Sequence, residues 1–379
     1  MTKKLLLITA ASLASLATNA AHAQSSVTLY GVFDLAARYT TNAGPNGQHL
    51  YSIDPGLIQG SRWGLRGTES LGGDLSVSFD LQSGFDPSTG RAAQQGQLWS
   101  RQAWVAVNSK TLGSLTMGRQ FGIGFDTMGQ FDPYGIGNHG AVSWQLDAVG
   151  ARFDNSVKYQ GRFGNFRLSA AYAPGEQSGS RAKGETAGLG LNYVGQGFTL
   201  VSAYQQSTDI NLARSSVWLL GGNAQLGATK IFAGYAGNHR DKGFAPCGAN
   251  NATSASGVPV ACISGSNPFG INGALSNTNL RSGSNAGDSD TQLFMLGATY
   301  RLNEHIELTA AANYDTNKVD TVAVNGKRKA YYAVADYYFS ARSDVYASVD
   351  FNQREGALAG SYSGANNQLG LMLAMRHRF

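Results

Sequence analysis

Near its end the chain alternates with a period of two: Leu369, Leu371, Leu373, Met375 and Phe379 fall on one face, and Gln368, Gly370, Arg376 and Arg378 on the other. Successive side chains of a β-strand point to opposite sides, so this pattern demands a strand with one apolar and one polar face. His377 interrupts the apolar face one step before the end, where an interfacial position tolerates it. The same dyad recurs upstream. Val345, Ala347, Val349 and Phe351 alternate with Tyr346, Ser348, Asp350 and Asn352, and Ile306, Leu308, Ala310, Ala312 and Tyr314 with Glu307, Thr309, Asn313 and Asp315. Each run is about 9–11 residues, the length of one tilted strand across a bilayer.

Extended along the chain, the pattern predicts sixteen strands, near residues 27–40, 59–69, 74–85, 98–110, 114–121, 152–160, 164–173, 186–194, 197–206, 214–226, 227–239, 290–302, 305–316, 328–339, 343–354 and 367–379. The links between them alternate. Tight turns fall at Leu71 to Asp74, Thr111 to Gly113, Gly161 to Gly164, Gly195 to Gly197, near Gly227, at Asn303-Glu304 and at Ser340 to Arg342. Long polar links fall at 41–58, 86–97, 122–151, 174–186, 207–213, 240–289, 317–327 and 355–366. An up-and-down membrane barrel has short turns at one end and long loops at the other, whereas a soluble sandwich has no reason for such alternation. The expected fold is therefore all-β, a transmembrane antiparallel barrel of about sixteen strands. At that size side chains no longer fill the interior and water enters.

Composition agrees: 49 Gly, 17 Tyr and 17 Phe against 8 Pro suit many strands, tight turns and aromatic girdles. The mean hydropathy of −0.21 does not oppose a membrane location, because lipid-facing and lumen-facing residues cancel in any window. Lys3 and Lys4, the apolar run Leu5 to Leu16 and the small-x-small Ala21-His22-Ala23 read as a secretory signal. The expected division is a signal peptide at 1–23 and a single barrel domain at 24–379. Losing two lysines and no acid takes the formal charge from +5 to +3, which excludes a nucleic-acid-like charge excess.

Ser26 to Gly31 (Ser-Val-Thr-Leu-Tyr-Gly), Ser61 to Gly67 (Ser-Arg-Trp-Gly-Leu-Arg-Gly), Glu69 to Gly73, Arg101 to Val107 (Arg-Gln-Ala-Trp-Val-Ala-Val), Gly118-Arg119-Gln120 and the final Phe379 resemble the trimeric Gram-negative general porins. The resemblance implies an outer-membrane channel for passive diffusion of small hydrophilic solutes and ions. It also implies a homotrimer packed through the N-terminal strands, contact with outer-membrane lipid and lipopolysaccharide, and a third loop folded inward to narrow the pore. Phe379 would be the signal read by the barrel-insertion machinery. The loop at 122–151 is long enough to be that constriction and carries Asp126, Asp132 and Asp147, without the Pro-Glu-Phe-Gly-Gly signature of the enterobacterial branch.

In a diffusion pore the working groups are charges on the lumen wall. Outward Trp63 and Leu65 place Arg62 and Arg66 inside; outward Leu29, Phe33 and Tyr39 place Asp34 and Arg38 inside. Outward Phe153, Val157 and Tyr159 place Arg152, Asp154 and Lys158 inside, and an outward Trp104 places Arg101 inside. The constriction arginines of the family map onto Arg62, Arg101 and Arg152, and its adjacent basic position onto Arg66. A lysine that some members carry on the first strand is Val32 here. Arg119 shares parity with Leu115 and Met117, so alternation points it outward, into a subunit-interface ion pair. Counting Arg167 with these bases against Asp34, Asp80 and Asp154 leaves the early strands basic inside, and the loop acids offset part of that excess; the expectation is a weak anion preference.

Cys247 and Cys262 lie together in the longest link, where export to an oxidising compartment favours a disulfide over two free thiols. Neither His nor further Cys stands at metal-ligand spacing beside them. Gly135 to Gly140 matches G-x-G-x-x-G, but without a strand before it and a helix after it the match does not support a dinucleotide site. No Ser/His or Asp/His constellation can be assembled on neighbouring strand ends, so neither an enzyme nor a cofactor is expected. The competing functions are a substrate-specific channel, a barrel enzyme, and an adhesin that uses the link at 240–289.

Overall fold

A computed structural model describes residues 26–93, 97–137, 148–246, 283–362 and 364–379. The signal segment 1–23, Asp147, Cys247 and Cys262 lie outside the described residues. The strands are β1 (Ser26–Gly44), β2 (Gln48–Pro55), β3 (Arg62–Gly72), β4 (Leu75–Gly84), β5 (Gln102–Ser109), β6 (Gly113–Phe121), β7 (Arg152–Phe163), β8 (Phe166–Ala173) and β9 (Thr186–Val194). They continue as β10 (Phe198–Thr208), β11 (Arg214–Leu226), β12 (Thr229–Arg240), β13 (Ser289–Arg301), β14 (Ile306–Val319), β15 (Gly326–Tyr338), β16 (Ser343–Gly356) and β17 (Asn367–Arg378). One short helix, α1 (Ile123–Met128), follows β6.

Each strand from β3 to β17 pairs antiparallel with the next, and β17 returns to β1 from Val32↔Arg378 to Thr40↔Gly370. The sheet is closed, which removes the exposed edges that an open sheet leaves unpaired in lipid. Below that register the backbones of Gly31 and Phe379 exchange two hydrogen bonds of 3.0 and 3.1 Å, and the Phe379 ring lies against Gly31. The outer face carries Leu29, Val105, Met117, Leu220, Leu296 and Leu373, all exposed in the isolated chain as lipid-facing groups must be.

Seventeen strand segments make sixteen wall strands, because β2 and β3 are two halves of one. The first half of β1 pairs with β3 (Ser26↔Thr68 to Val32↔Arg62) and the second half with β2 (Leu35↔Pro55 to Thr40↔Leu50). The link expected at 41–58 is thus mostly hairpin. Asn46 and Gly47, at φ of 61° and 74°, make its tight turn, and Tyr51 and Ile53 alternate outward against Ser52 and Asp54. Residues 56–61, for which β1 offers no pairing partners, fold into the barrel, burying Leu57 and Ile58.

The apolar core lies inside the barrel, where the segment after β6 turns inward. Ile123, Met128, Phe131 and Ile136 pack against Val201, Val217, Leu219, Ala236, Leu293 and Met295 of the wall.

Candidate functional site: the barrel lumen

The lumen is narrowed by two insertions that meet. The loop that begins with α1 is tethered by Gly124 N–H to Gln205 Oε1 (3.0 Å), by Asn223 Nδ2 to the Gln130 carbonyl (2.7 Å) and by the seat of Phe131 over Gly221 and Gly234. It therefore crosses the interior from β6 towards β10, β11 and β12. On the far side Gly137 lies against the Leu57 and Ile58 carbonyls of the 56–61 fold, where a Cβ would come within 2.8 Å. Asp34 fastens that fold: its buried carboxylate accepts from Gln59 N–H and from Tyr346 O–H, each at 2.9 Å. Strand alternation does not predict the inward 56–61 segment; the signal in the sequence is Pro55-Gly56 and Gly60, breakers around two apolar residues.

Around this constriction the basic residues fall into two groups. Arg38 forms an ion pair with Asp350 at 2.8 Å, and Lys158 one with Asp126 of α1 at 2.8 Å while also donating to the Phe121 carbonyl. Arg66 stacks on Tyr30, whose hydroxyl donates to Asp80 at 2.6 Å. Arg62, Arg101 and Arg152 have no carboxylate partner among the described residues. Arg62 donates to the Gly60 carbonyl, Arg101 donates to Gln82 Oε1 at 2.7 Å, and the Arg152 guanidinium lies 4.5 Å from the centre of the Phe121 ring. The three stand within electrostatic reach of one another. Like charges so placed repel, and a mobile counter-anion relieves that repulsion.

Two cavities flank the constriction. The one towards the long loops, about 600 Å³, is lined by Arg38, Arg101, Asp54, Asp86, Ser61 and Gly137. The one towards the tight turns, about 670 Å³, runs below α1 past Asp126, Lys158 and Trp104.

Several expectations require correction. Trp104 points inward, because it is paired directly with Asp80 and lines the turn-side cavity. Arg101 precedes β5, so parity counted back from Trp104 does not apply to it. Arg119 is 7% exposed and forms its ion pair within the chain, with Asp154, while its Nε donates to the Ser100 carbonyl at 2.8 Å. The cause is a bulge: the β6–β7 register shifts between Gly118 and Gln120, and Asn155 takes a φ of 53°. The same bulge turns Phe153 inward, where it is buried against Ala173 and Phe244. Asp132 is buried as well. It accepts from the Ile136 and Tyr134 N–H groups at 2.6 and 3.2 Å, which makes it the clasp of the loop's turn and takes it away from the aqueous path. The small residues Gly31, Ala36 and Ala37 of the first strand would suit subunit packing, but Ala36 faces inward and Gly31 is covered by Phe379, so of the three only Ala37 is open on the outer face.

A closed sixteen-stranded barrel, with a loop and a strand fold narrowing a charged interior, is the architecture against which known proteins can be compared. The Gram-negative porin family model matches residues 9–357. The chain belongs to the Gram-negative porin family. Outer membrane porin protein 32 of Delftia acidovorans is 27% identical over 388 residues, 96% of this chain and 97% of that one. An outer membrane porin of Bordetella pertussis is 37% identical over 182 residues, an alignment spanning 44% of this chain and 47% of that protein. Among solved structures, an anion-selective porin from Comamonas acidovorans superposes with a TM-score of 0.71 at 21% identity, covering 94% of this chain and 100% of that one. Salmonella typhi OmpF superposes with a TM-score of 0.65 at 15% identity. This porin is thus an outer-membrane β-barrel channel for passive diffusion. Its fold and its family are those of channels and not of barrel enzymes.

Proposed function

We propose that this porin passes small hydrophilic solutes with a weak preference for anions, and that Arg62, Arg101 and Arg152 set the preference. The observation that carries the reading is that these three guanidinium groups gather beside the inward loop without a carboxylate partner among the described residues, whereas Arg38 and Lys158 are each paired with an acid. Arg38, Arg66, Lys158 and Asp126 line the path on either side; Asp132 holds the loop in shape. The structural neighbour described as anion-selective supports the sign.

The same proposal includes export by a cleaved segment at 1–23, with 24–379 as the barrel domain, insertion dependent on Phe379, and assembly as a homotrimer among outer-membrane lipids and lipopolysaccharide. The outer face over β16, β17, β1 and β2 supports the trimer: Leu35, Ala37, Ile53, Ala347 and Leu373 line a shallow apolar hollow there, with Tyr39, Tyr51 and Tyr337 beside them. A heat-modifiable high-mass band in unboiled detergent extract tests it.

For selectivity, replacing Arg62, Arg101 and Arg152 together by Gln should move the zero-current potential in a salt gradient towards the cation side. One unit charge a few ångströms from a passing ion is worth on the order of 1–4 kcal/mol before screening, so the shift should shrink as ionic strength rises. An unchanged potential with intact conductance refutes the assignment.

A further inference from the structure

At the turn end of the lumen, Arg162 on β7 is paired directly across from Arg167 on β8. Both sit on the inward face, since Arg162 shares parity with Lys158 and Arg167 shares parity with Ala171, which packs against the interior cluster. Like charges directly opposed across a strand pair are destabilising unless something compensates them. Among the described residues no carboxylate does so: there Arg162 donates only to the Gly164 carbonyl, and Arg167 makes no hydrogen bond or ion pair. The acid nearest in the cavity, Asp126, is already committed to Lys158 at 2.8 Å.

The cavity that these arginines line, about 670 Å³, also receives the side chain of Trp104. Gly118, at a φ of 121°, lies directly opposite Trp104 on β6, where a Cβ would meet the Ala103 carbonyl and the Trp104 Cα. The indole makes no hydrogen bond and no ring contact with another described residue. An indole normally packs its faces or finds an acceptor for its N–H. Here it borders an aqueous cavity whose remaining lining includes the amides of Gln102, Gln160 and Asn192.

From this juxtaposition we infer that the turn-side cavity is a solute subsite for organic anions with a flat apolar body: Arg162 and Arg167 take the carboxylate, Trp104 takes the ring face, and the amides serve polar substituents. A bidentate carboxylate suits two guanidinium groups, and a ring on indole is a sequence of contacts that water and chloride cannot replace. The subsite lies past the constriction for a solute entering from the loop end, so it holds a solute that has already crossed the narrow zone. The inference rests on the proposed anion preference, and its test separates the two.

Saturation-transfer NMR with benzoate and with acetate reads binding to detergent-solubilised protein whether or not the barrel conducts. Benzoate should bind saturably. Arg162→Gln with Arg167→Gln should abolish that binding, and Trp104→Leu should weaken benzoate by about 2- to 10-fold while leaving acetate unchanged, as expected for loss of one aromatic contact. In planar bilayers benzoate added on the turn side should block the chloride current at lower concentration than from the loop side. Both variants should keep the β-type circular dichroism and the heat-modifiable migration of the wild type, which shows that the barrel has folded. Equal affinity for acetate and benzoate, or benzoate binding retained in the double arginine variant, overturns the subsite. A cation-preferring wild-type pore that still binds benzoate overturns the selectivity reading and leaves the subsite standing.

Discussion

Removing the Phe131 side chain should release the constriction loop without unfolding the barrel. The ring is fully buried and occupies a seat made by Gly221 and Gly234, neighbours across the β11–β12 pair; a Cβ on either glycine would come within 2.5 and 2.1 Å of it. Burying and then deleting a Phe side chain costs about 3–5 kcal/mol where the cavity cannot collapse, and a sheet wall cannot collapse. At about 1.4 kcal/mol per factor of ten, that loss shifts the ratio of docked to undocked loop by at least about 100-fold. The polar tethers at Gln205 and Asn223 are amide hydrogen bonds, each worth about 1 kcal/mol net, so they do not hold the loop alone. Single-channel recording of Phe131→Ala should show a larger or flickering open level in place of one steady conductance. Gly234→Val, which fills the seat from the wall side, should give the same trace. Wild-type conductance and noise in both variants would refute the idea that this seat positions the constriction.

Asp34→Ala leaves the Gln59 N–H and the Tyr346 O–H without their acceptor, at about 1–3 kcal/mol for each buried group; the thermal transition should fall and the conductance rise as residues 56–61 loosen. Burial pushes the Asp132 carboxyl up to about 6. A folded value above the unfolded one means that the contribution to stability is fully present below about pH 4 and is lost as pH rises through about 6, by up to about 3 kcal/mol. Thermal unfolding in detergent should show this slope in the wild type, and Asp132→Asn should flatten it. Phe379→Ala and Gly31→Val should both lower the amount of membrane-inserted barrel at native expression, since either separates the ring from its seat on β1; normal insertion of both would remove that role.

The period-two pattern was enough to read the barrel wall. Fifteen tight or long links and sixteen strands follow from local alternation and turn chemistry, because in a membrane wall each residue faces either lipid or lumen and the backbone must stay paired. The turns at Gly72-Gly73, Gly164 and Gly227, with φ of 90°, 58°, 61° and 60°, stand where the glycines placed them. What alternation cannot register is its own interruption. The Gly118–Asn155 bulge turns Arg119 and Phe153 into the protein, the irregular backbone before β5 breaks the link between Trp104 and Arg101, and the 56–61 fold divides a wall strand in two. Each changes phase at a cost that only neighbours distant in sequence repay: Asp154 for Arg119, Asp34 and Tyr346 for the inward fold. The pairing of charges is likewise a tertiary matter. Arg38 and Arg62 read alike in sequence, and only the closure of β17 onto β1 brings Asp350 to the first and no described carboxylate to the second, because an ion pair is decided by a few ångströms between strands that lie 312 residues apart.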